Sequence, residues 1–373
     1  SFIINADKDV YNYQSANKAN TFYGYAAGDY SPNTSGNTFM GYNVGNNLTT
    51  GSNNTGMGRD VFIGTLTGDA NTAVGTGAGR LLGSGSRNSL FGDGAGDKLA
   101  NASDNVAIGY EALFTNVGSG QNVAIGVNAA RTFTGSRLVA IGIDAAKTLA
   151  SDVDNVFIGQ QCGEKRTGGV DNTFVGSYAN YNGASTGCCN TGFGKSTGYE
   201  LTSGVQNTFL GRQAATGGQN TLIGSGAGDA ITTGNHNNIF GYNCEASSVG
   251  GTDQIVIGTN GQVGKGNSTG FISPGTGGVY QGNNSTTWST TSDKRIKKNI
   301  VDNNKGLEII DKIQVRNFEY RTEEEIIDFE NPKSAVVNQE GIQLGVIAQE
   351  IEKVLPEVVT EESTGVKRVN ADN

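Results

Sequence analysis

The sequence predicts a mostly β chain in two parts: a repetitive β-solenoid or β-roll shaft of about fifteen 17-residue repeats, and a small α+β module behind it. Three observations carry this expectation. A five-residue phrase recurs with a period of 17, glycine is concentrated in the first 291 residues, and charge is concentrated in the last 82. Of the 58 glycines only Gly306, Gly341, Gly345 and Gly365 lie in the last 82 residues, whereas 29 of the Asp, Glu, Lys and Arg residues lie there. Two physically different chains are joined near residue 290. The divisions expected are a lead-in over 1–19, the shaft over 20–261, a Gly/Ser/Thr/Asn-rich neck over 262–291 and the C-terminal module over 292–373.

The phrase reads Asn, Thr or Val, a variable residue, an apolar residue, then Gly, as in Asn105-Val106-Ala107-Ile108-Gly109 and Asn207-Thr208-Phe209-Leu210-Gly211. Its glycines stand at 24, 41, 58, 75, 92, 109, 126, 142, 159, 176, 194, 211, 224, 241 and 258, with one short interval of 13 before Gly224. The residue before the Gly is apolar or aromatic in all fifteen repeats, and the residue three after it is Ala in nine and Cys at Cys162 and Cys244. These two positions, one large and one small, are read as the inward positions of a narrow core. The residue four before the Gly is Asn in thirteen repeats. A buried ladder, each amide bonding its copy one coil away, explains that regularity better than a glycan or ion site.

Turn-rich spacers such as Thr49-Thr50-Gly51-Ser52-Asn53 separate the phrases, and Gly and Asn there supply the positive φ angles of sharp corners. Short strands and corners at a fixed period make a solenoid. Fifteen coils at the ~4.8 Å strand spacing give a rod on the order of 70 Å long.

Composition narrows the partners. The net charge is −9 and no basic run extends beyond Lys294–Lys298, so a nucleic-acid partner is not expected. No apolar stretch approaches the ~20 residues of a membrane span, so neither is membrane insertion. Cys162, Cys188, Cys189 and Cys244 lack metal-ligand spacing and His236 lacks an evident partner, so no metal and no cofactor are expected.

The C-terminal part opens with Thr291-Ser292-Asp293-Lys294-Arg295-Ile296-Lys297-Lys298-Asn299-Ile300. A Ser hydroxyl is a weak nucleophile until a base takes its proton. The module contains no His, which leaves Lys297 as the base, provided that burial or cations such as Arg295 lower its pKa. Further on, Gly345-Val346-Ile347-Ala348-Gln349-Glu350-Ile351-Glu352 reads as an amphipathic helix ended by Pro356, with a short helix over Gly306–Ile313 and a strand over Val315–Arg321 before it.

In phrase and period the shaft resembles the head repeats of trimeric autotransporter adhesins and the β-roll shafts of phage fibres, which implies an elongated homotrimer. The two C-terminal landmarks closely resemble the intramolecular chaperone domain of peptidase family S74, found behind phage endosialidases, tail fibres and neck appendages and in a myelin regulatory factor. Every fixed position of its Ser-Asp-x-Arg-x-Lys-x-x-Ile pattern is present. The resemblance implies a Ser292–Lys297 dyad that cleaves between Thr291 and Ser292 in a single turnover after trimer assembly. Asp293 and Arg295 would then hold geometry, with no external substrate. Family members usually continue into long trimerising helices, so a chain ending at Asn373 is expected to carry a shortened or truncated module.

The function expected is that of a virion tail fibre or spike. It would be made in the host cytoplasm, join other tail or baseplate proteins and bind a glycan or protein receptor on the host surface. The alternatives are a tailspike depolymerase, for which scattered acids such as Asp60, Asp69, Asp93, Asp144 and Glu164 are the available carboxylates, and a bacterial trimeric adhesin. Irregular stretches, the insertion over 180–190 with Cys188 and Cys189 and the neck, are the places where a receptor contact would be sought.

Overall fold

Each phrase forms a short strand, and consecutive strands lie side by side in parallel. Val106, Ala107 and Ile108 face Val123, Ala124 and Ile125, which face Val139, Ala140 and Ile141. Thr, Val, Ile and Phe at these positions suit a pleated surface, and the corners between them return the chain one rung further on. In a computed structural model, which describes residues 3–4, 10–15, 18–28, 33–181, 186–213, 217–275, 278–282, 295, 298–300, 306–326, 337, 340–361 and 365–369, this pattern makes a β-solenoid of about 14 turns. The chain divides into two units, residues 1–289 and 290–373.

The ladder is closed at both ends by antiparallel strands. Val10–Ser15, within the segment read as a lead-in, pairs antiparallel with Lys18–Tyr23. Beyond Ile255–Asn260, part of the expected neck continues the sheet: Gly270–Ser273 adds a parallel strand and Val279–Gln281 folds back antiparallel on it. Trp288 lies outside the described residues.

Asparagine fixes the rungs. Asn71 donates its backbone N–H and its Nδ2 to Asn54 Oδ1 at 2.9 and 3.0 Å, and the same Nδ2 reaches Gly85 O at 2.9 Å. The pattern recurs through Asn88, Asn105 and Asn122. Where Leu138 and Gln254 replace Asn, their backbone N–H groups still donate to Asn122 Oδ1 and Asn237 Oδ1. These amides are buried, so each is satisfied by groups of the adjacent coils, its copy on one side and a corner carbonyl on the other.

That ladder corrects the expected core. Side chains alternate along a strand, so an inward Asn puts the residue two before the Gly inside and the residue just before the Gly outside. Phe39, Ala73, Leu90, Ala107, Phe157, Phe174, Phe209 and Leu222, the position read as variable, are fully buried. Met40, Met57, Phe91, Ile108, Phe193, Leu210 and Ile257, the position read as inward, are 39–51% exposed. The error is one of parity, which moves a whole row of side chains to the other face.

The small inward position three after the Gly is confirmed by buried Ala78, Ala95, Ala112, Ala129 and Ala145. Cys162 and Cys244 take the same place and are buried and free, and burial pushes the Cys162 thiol up, so it packs as a small apolar group. Four residues further on come Leu82, Leu99, Phe133, Leu149 and Leu201, all buried. Arg166 stands at this position in its own coil. It is fully buried, donates Nη1 to Asn180 Oδ1 at 2.9 Å and Nη2 to Gly187 O, and lies over the Phe157 ring at 5.9 Å. Desolvation lowers its pKa to about 10, which leaves it charged at neutral pH. Gly187 belongs to the coil with an extra residue, where Thr173 pairs with Thr191, so Arg166 ties that coil to the core.

The phrase glycine is required twice over. In the fourteen repeats from Gly24 to Gly241 its φ runs from +128° to +148°, a region closed to side chains. A Cβ on Gly109 would also lie 2.5 Å from Gly126 O in the next coil. Other corners do not use glycine: Arg87, Asp104, Gln121, Phe62 and Leu113 all have φ between 51° and 63°.

Two tests follow. Asn105→Ala strands the Asn122 N–H, and should cost about 1–3 kcal/mol, while Gly109→Ala should cost more than about 3 kcal/mol and Gly118→Ala, whose added Cβ meets nothing within 4 Å, almost nothing. Denaturant midpoints of the three variants rank them, and a Gly118→Ala loss equal to that of Gly109→Ala contradicts the stacking argument. The second test concerns Glu245, which burial and then the hydrogen bond and charge of Asp229 push up to about 8. Its folded state keeps a proton that the unfolded chain releases near pH 4.3, so its contribution is fully present below that pH and declines as pH rises toward 8. Glu245→Gln should flatten the slope of Tm between about pH 5 and 8; equal slopes in the two proteins would show that the pair does not titrate this way.

Candidate functional site

Thr291, Ser292, Asp293 and Lys297, the residues expected to cleave the chain, lie outside the described residues. Of the first motif, Arg295 is described and is exposed. The second landmark is described throughout, and it is built differently from the helix expected.

Gln343–Gly345 is a strand, antiparallel to Arg316–Phe318 with Arg316 opposite Gly345. A Cβ on Gly345 would come 3.1 Å from the Phe318 ring, a tight contact that the ring would have to relieve. Val346 and Ile347 follow as connecting residues, and the helix proper is Ala348–Ile351. Ile351 is buried, at 3% exposure, and Pro356 opens a 3₁₀ turn over Pro356–Val358. The expected helix near Gly306 is Leu307–Ile310 and the expected strand is Arg316–Phe318, both shorter than the sequence patterns.

Two ion pairs position the landmark helix. Arg316 grips Glu350 as a fork, Nε–Oε2 3.0 Å and Nη2–Oε1 2.9 Å, and Lys367 Nζ reaches both oxygens of Glu352 at 2.6 and 2.8 Å. The Arg316 hydrogen bond holds the Glu350 carboxyl below its usual value, and Glu352 raises Lys367. Solvent-accessible pairs of this kind contribute little to stability, so they orient the helix more than they stabilise it. Their partners are 34 and 15 residues apart, a separation with no periodic signature, so the sequence shows the charges but not the pairing.

The helix, the 316–318 strand and the Lys367–Val369 strand border an open cleft of about 460 Å³ with Phe318, Tyr320, Ile326, Val346, Ile347 and Val369 among its walls. Phe318 meets Tyr320 edge-on at 5.3 Å. Its described lining includes one carboxylate, Glu319, and no Ser, Cys or His, so it offers mainly apolar surface and cations.

On the shaft, acids considered for polysaccharide cleavage serve neighbouring coils. Asp60 accepts from Asn43 Nδ2 at 2.9 Å and Asp144 from Asn128 Nδ2 at 2.9 Å, while Asp69 accepts the Ser52 N–H at 2.7 Å. Asp229 lies near enough to Glu245 to help push its carboxyl up. In the insertion, the Cys188 and Cys189 sulfurs lie 3.0 Å apart, and residues 182–185 are outside the described set. Among the described residues no three His, Cys, Asp or Glu side chains group as a metal site, and no helix is long and apolar enough to cross a membrane.

Residues 292–360 match the family model Peptidase_S74, described as the chaperone of endosialidase. No curated protein and no solved structure matches the chain. The C-terminal module is therefore similar to a chaperone of endosialidase, and behind a β-solenoid of about 14 turns it gives the chain the build of a phage tail fibre or spike with a C-terminal chaperone.

Proposed function

We propose that this chain is a homotrimeric tail fibre or spike of a phage virion. Its shaft displays a binding surface to a host glycan or protein, and its C-terminal module brings three chains together and then cuts itself away. The observation that carries the reading is the order of parts: a chaperone-family match that begins at Ser292, directly behind a solenoid whose strands are nearly interchangeable.

The cleavage follows from ordinary acyl chemistry. Lys297, neutral in its resting state, takes the Ser292 Oγ proton as Oγ attacks the Thr291 carbonyl carbon. The tetrahedral intermediate collapses with proton return to the Ser292 nitrogen, so the C–N bond breaks and an ester joins Thr291 to Ser292 Oγ. Water then hydrolyses the ester, leaving a carboxylate on Thr291 and a free amine on Ser292. Lys297 must be deprotonated near neutral pH, which neighbouring cations such as Lys294, Arg295 and Lys298 favour. Asp293 and Arg295 are assigned to holding the segment in place.

Intact-mass and denaturing-gel analysis of the full-length chain tests the assignment. The wild type should separate between Thr291 and Ser292, while Ser292→Ala and Lys297→Ala should remain whole, with a loss of at least 100-fold in cleavage rate. A wild type that stays intact and trimeric would make the module a retained cap and remove the catalytic dyad.

A further inference from the structure

We propose that Cys188 and Cys189 form a two-electron redox site on the shaft, which exchanges with small-molecule disulfides such as oxidised glutathione and closes into a disulfide between adjacent residues. The inference rests on the solenoid alone and not on the fibre reading.

The four cysteines are of two kinds. Cys162 and Cys244 fill the small inward position and are buried. Cys188 and Cys189 stand at a corner, just before the ladder residue Asn190. In other coils the residue before the ladder Asn is Arg87, Asp104, Gln121, Asp154, Asp171 or Gln206, each exposed and with φ between 56° and 63°. Cys189 is exposed at the same place with φ of 63°. A thiol therefore stands where the other coils carry a hydrated polar group, and packing does not account for it. Cys188 beside it is half-buried.

The corner holds the two sulfurs together. Cys189 N–H donates to Val170 O in the coil before at 3.1 Å, and Gln206 N–H in the coil after donates to Cys188 O at 3.1 Å. Asn190 Nδ2 also donates to Cys188 O, at 3.0 Å. With the backbone fixed on both sides, Cys189 S–H donates to Cys188 Sγ across 3.0 Å, and bonding them needs an approach of about 1 Å, to ~2.05 Å. Reactive cysteines sit in partly exposed, electropositive surroundings, whereas buried ones are inert. Here the charged Arg166 guanidinium donates to Gly187 O, one residue before the pair, and its charge reaches Cys188. The hydrogen bond to Cys188, and more weakly the Asp171 charge, raise the Cys189 thiol. Cys189 thus keeps its proton at neutral pH and Cys188 attacks first.

In the exchange the Cys188 thiolate attacks one sulfur of the external disulfide, which forms a mixed disulfide and expels one thiolate. Cys189 then gives its proton to solvent and attacks Cys188 Sγ, expelling the second. Two cysteine thiols are oxidised, one external disulfide is reduced to two thiols, and the two protons pass through solvent to the leaving groups. Adjacent Cα atoms are ~3.8 Å apart across a trans peptide, below the roughly 4.4–6.8 Å of an ordinary disulfide. The closed ring is strained and so readily reduced. It opens in a reducing cytoplasm and closes in oxidising surroundings, a reversible site in place of a permanent staple.

To test this, the full chain is equilibrated with oxidised glutathione, its remaining thiols are blocked under denaturing conditions, and its peptides are weighed. In more than about half of the wild-type chains the peptide with Cys188 and Cys189 should be lighter by two hydrogens, with Cys162 and Cys244 still reduced, and reduced glutathione should reverse the change. Cys189→Ser should hold glutathione on Cys188 in more than about half of the chains, against less than about one tenth in the wild type, because no second thiol resolves the mixed disulfide. Cys188→Ser should react at least about tenfold more slowly. Wild-type chains that keep both thiols, that hold glutathione without closing, or that link to a second chain through either cysteine overturn the site.

Discussion

A buried side-chain amide whose oxygen accepts from the same position one coil away governs this shaft. Asn54, Asn71, Asn88 and Asn105 are buried, and an inward carboxamide without partners costs free energy comparable to a lost hydrogen bond. Each coil must therefore return to the same point, with Asn there in all but the Leu138 and Gln254 coils. Register, strand parity and the closeness of the phrase glycines all follow from that requirement. The corners are where freedom remains. Coils of 13, 16 and 18 residues enter and leave the ladder in register, through Thr208↔Thr221, Val123↔Val139 and Thr173↔Thr191, so the two deletions and the one insertion are absorbed between strands.

The period, the ladder and the small inward position were legible in the sequence because each is a repeated identity: Asn at one offset, Gly at another, Ala or Cys at a third. The large inward position was not. In Val106-Ala107-Ile108 both faces are apolar, so hydrophobicity cannot say which is inside, and the larger residue was assigned inward. The inward Asn fixes the answer, since residues four and two before the Gly share a face. An apolar outward row is itself the departure from the usual sheet pattern that makes the surface informative.

The module shows the opposite balance. The order of Ser292, Asp293, Arg295 and Lys297 and the later Gly345–Glu352 landmark could be read directly, and the family match covers both. What could not be read is how the landmark is held. A helix of four residues, Ala348–Ile351, is far below the length that is stable alone, and it depends on Ile351 burial, with Arg316 and Lys367 orienting it by reaching Glu350 and Glu352 from elements before and after it. Such pairings have no periodic signature. They are properties of the folded unit, whereas the solenoid is nearly a property of its repeat.

Near-identity of rungs has a consequence for any side-by-side assembly. If one shaft slides by a single coil along another, every interior rung finds an almost equivalent partner, and the loss is confined to the contact at the ends. With fifteen repeats that is a small fraction of the interface, so the face alone discriminates poorly between registers. Two features break the degeneracy. The 13-, 16- and 18-residue coils displace corners at particular heights, so that shifted chains bring unlike corners together. The C-terminal module lies outside the repeat altogether, and a contact made there first would set the height of every rung before the repetitive faces close. A nucleus needed for alignment is no longer needed once the long contact has formed, and this is the physical reason why the cleavage proposed at the start of the module would suit a shaft of this kind.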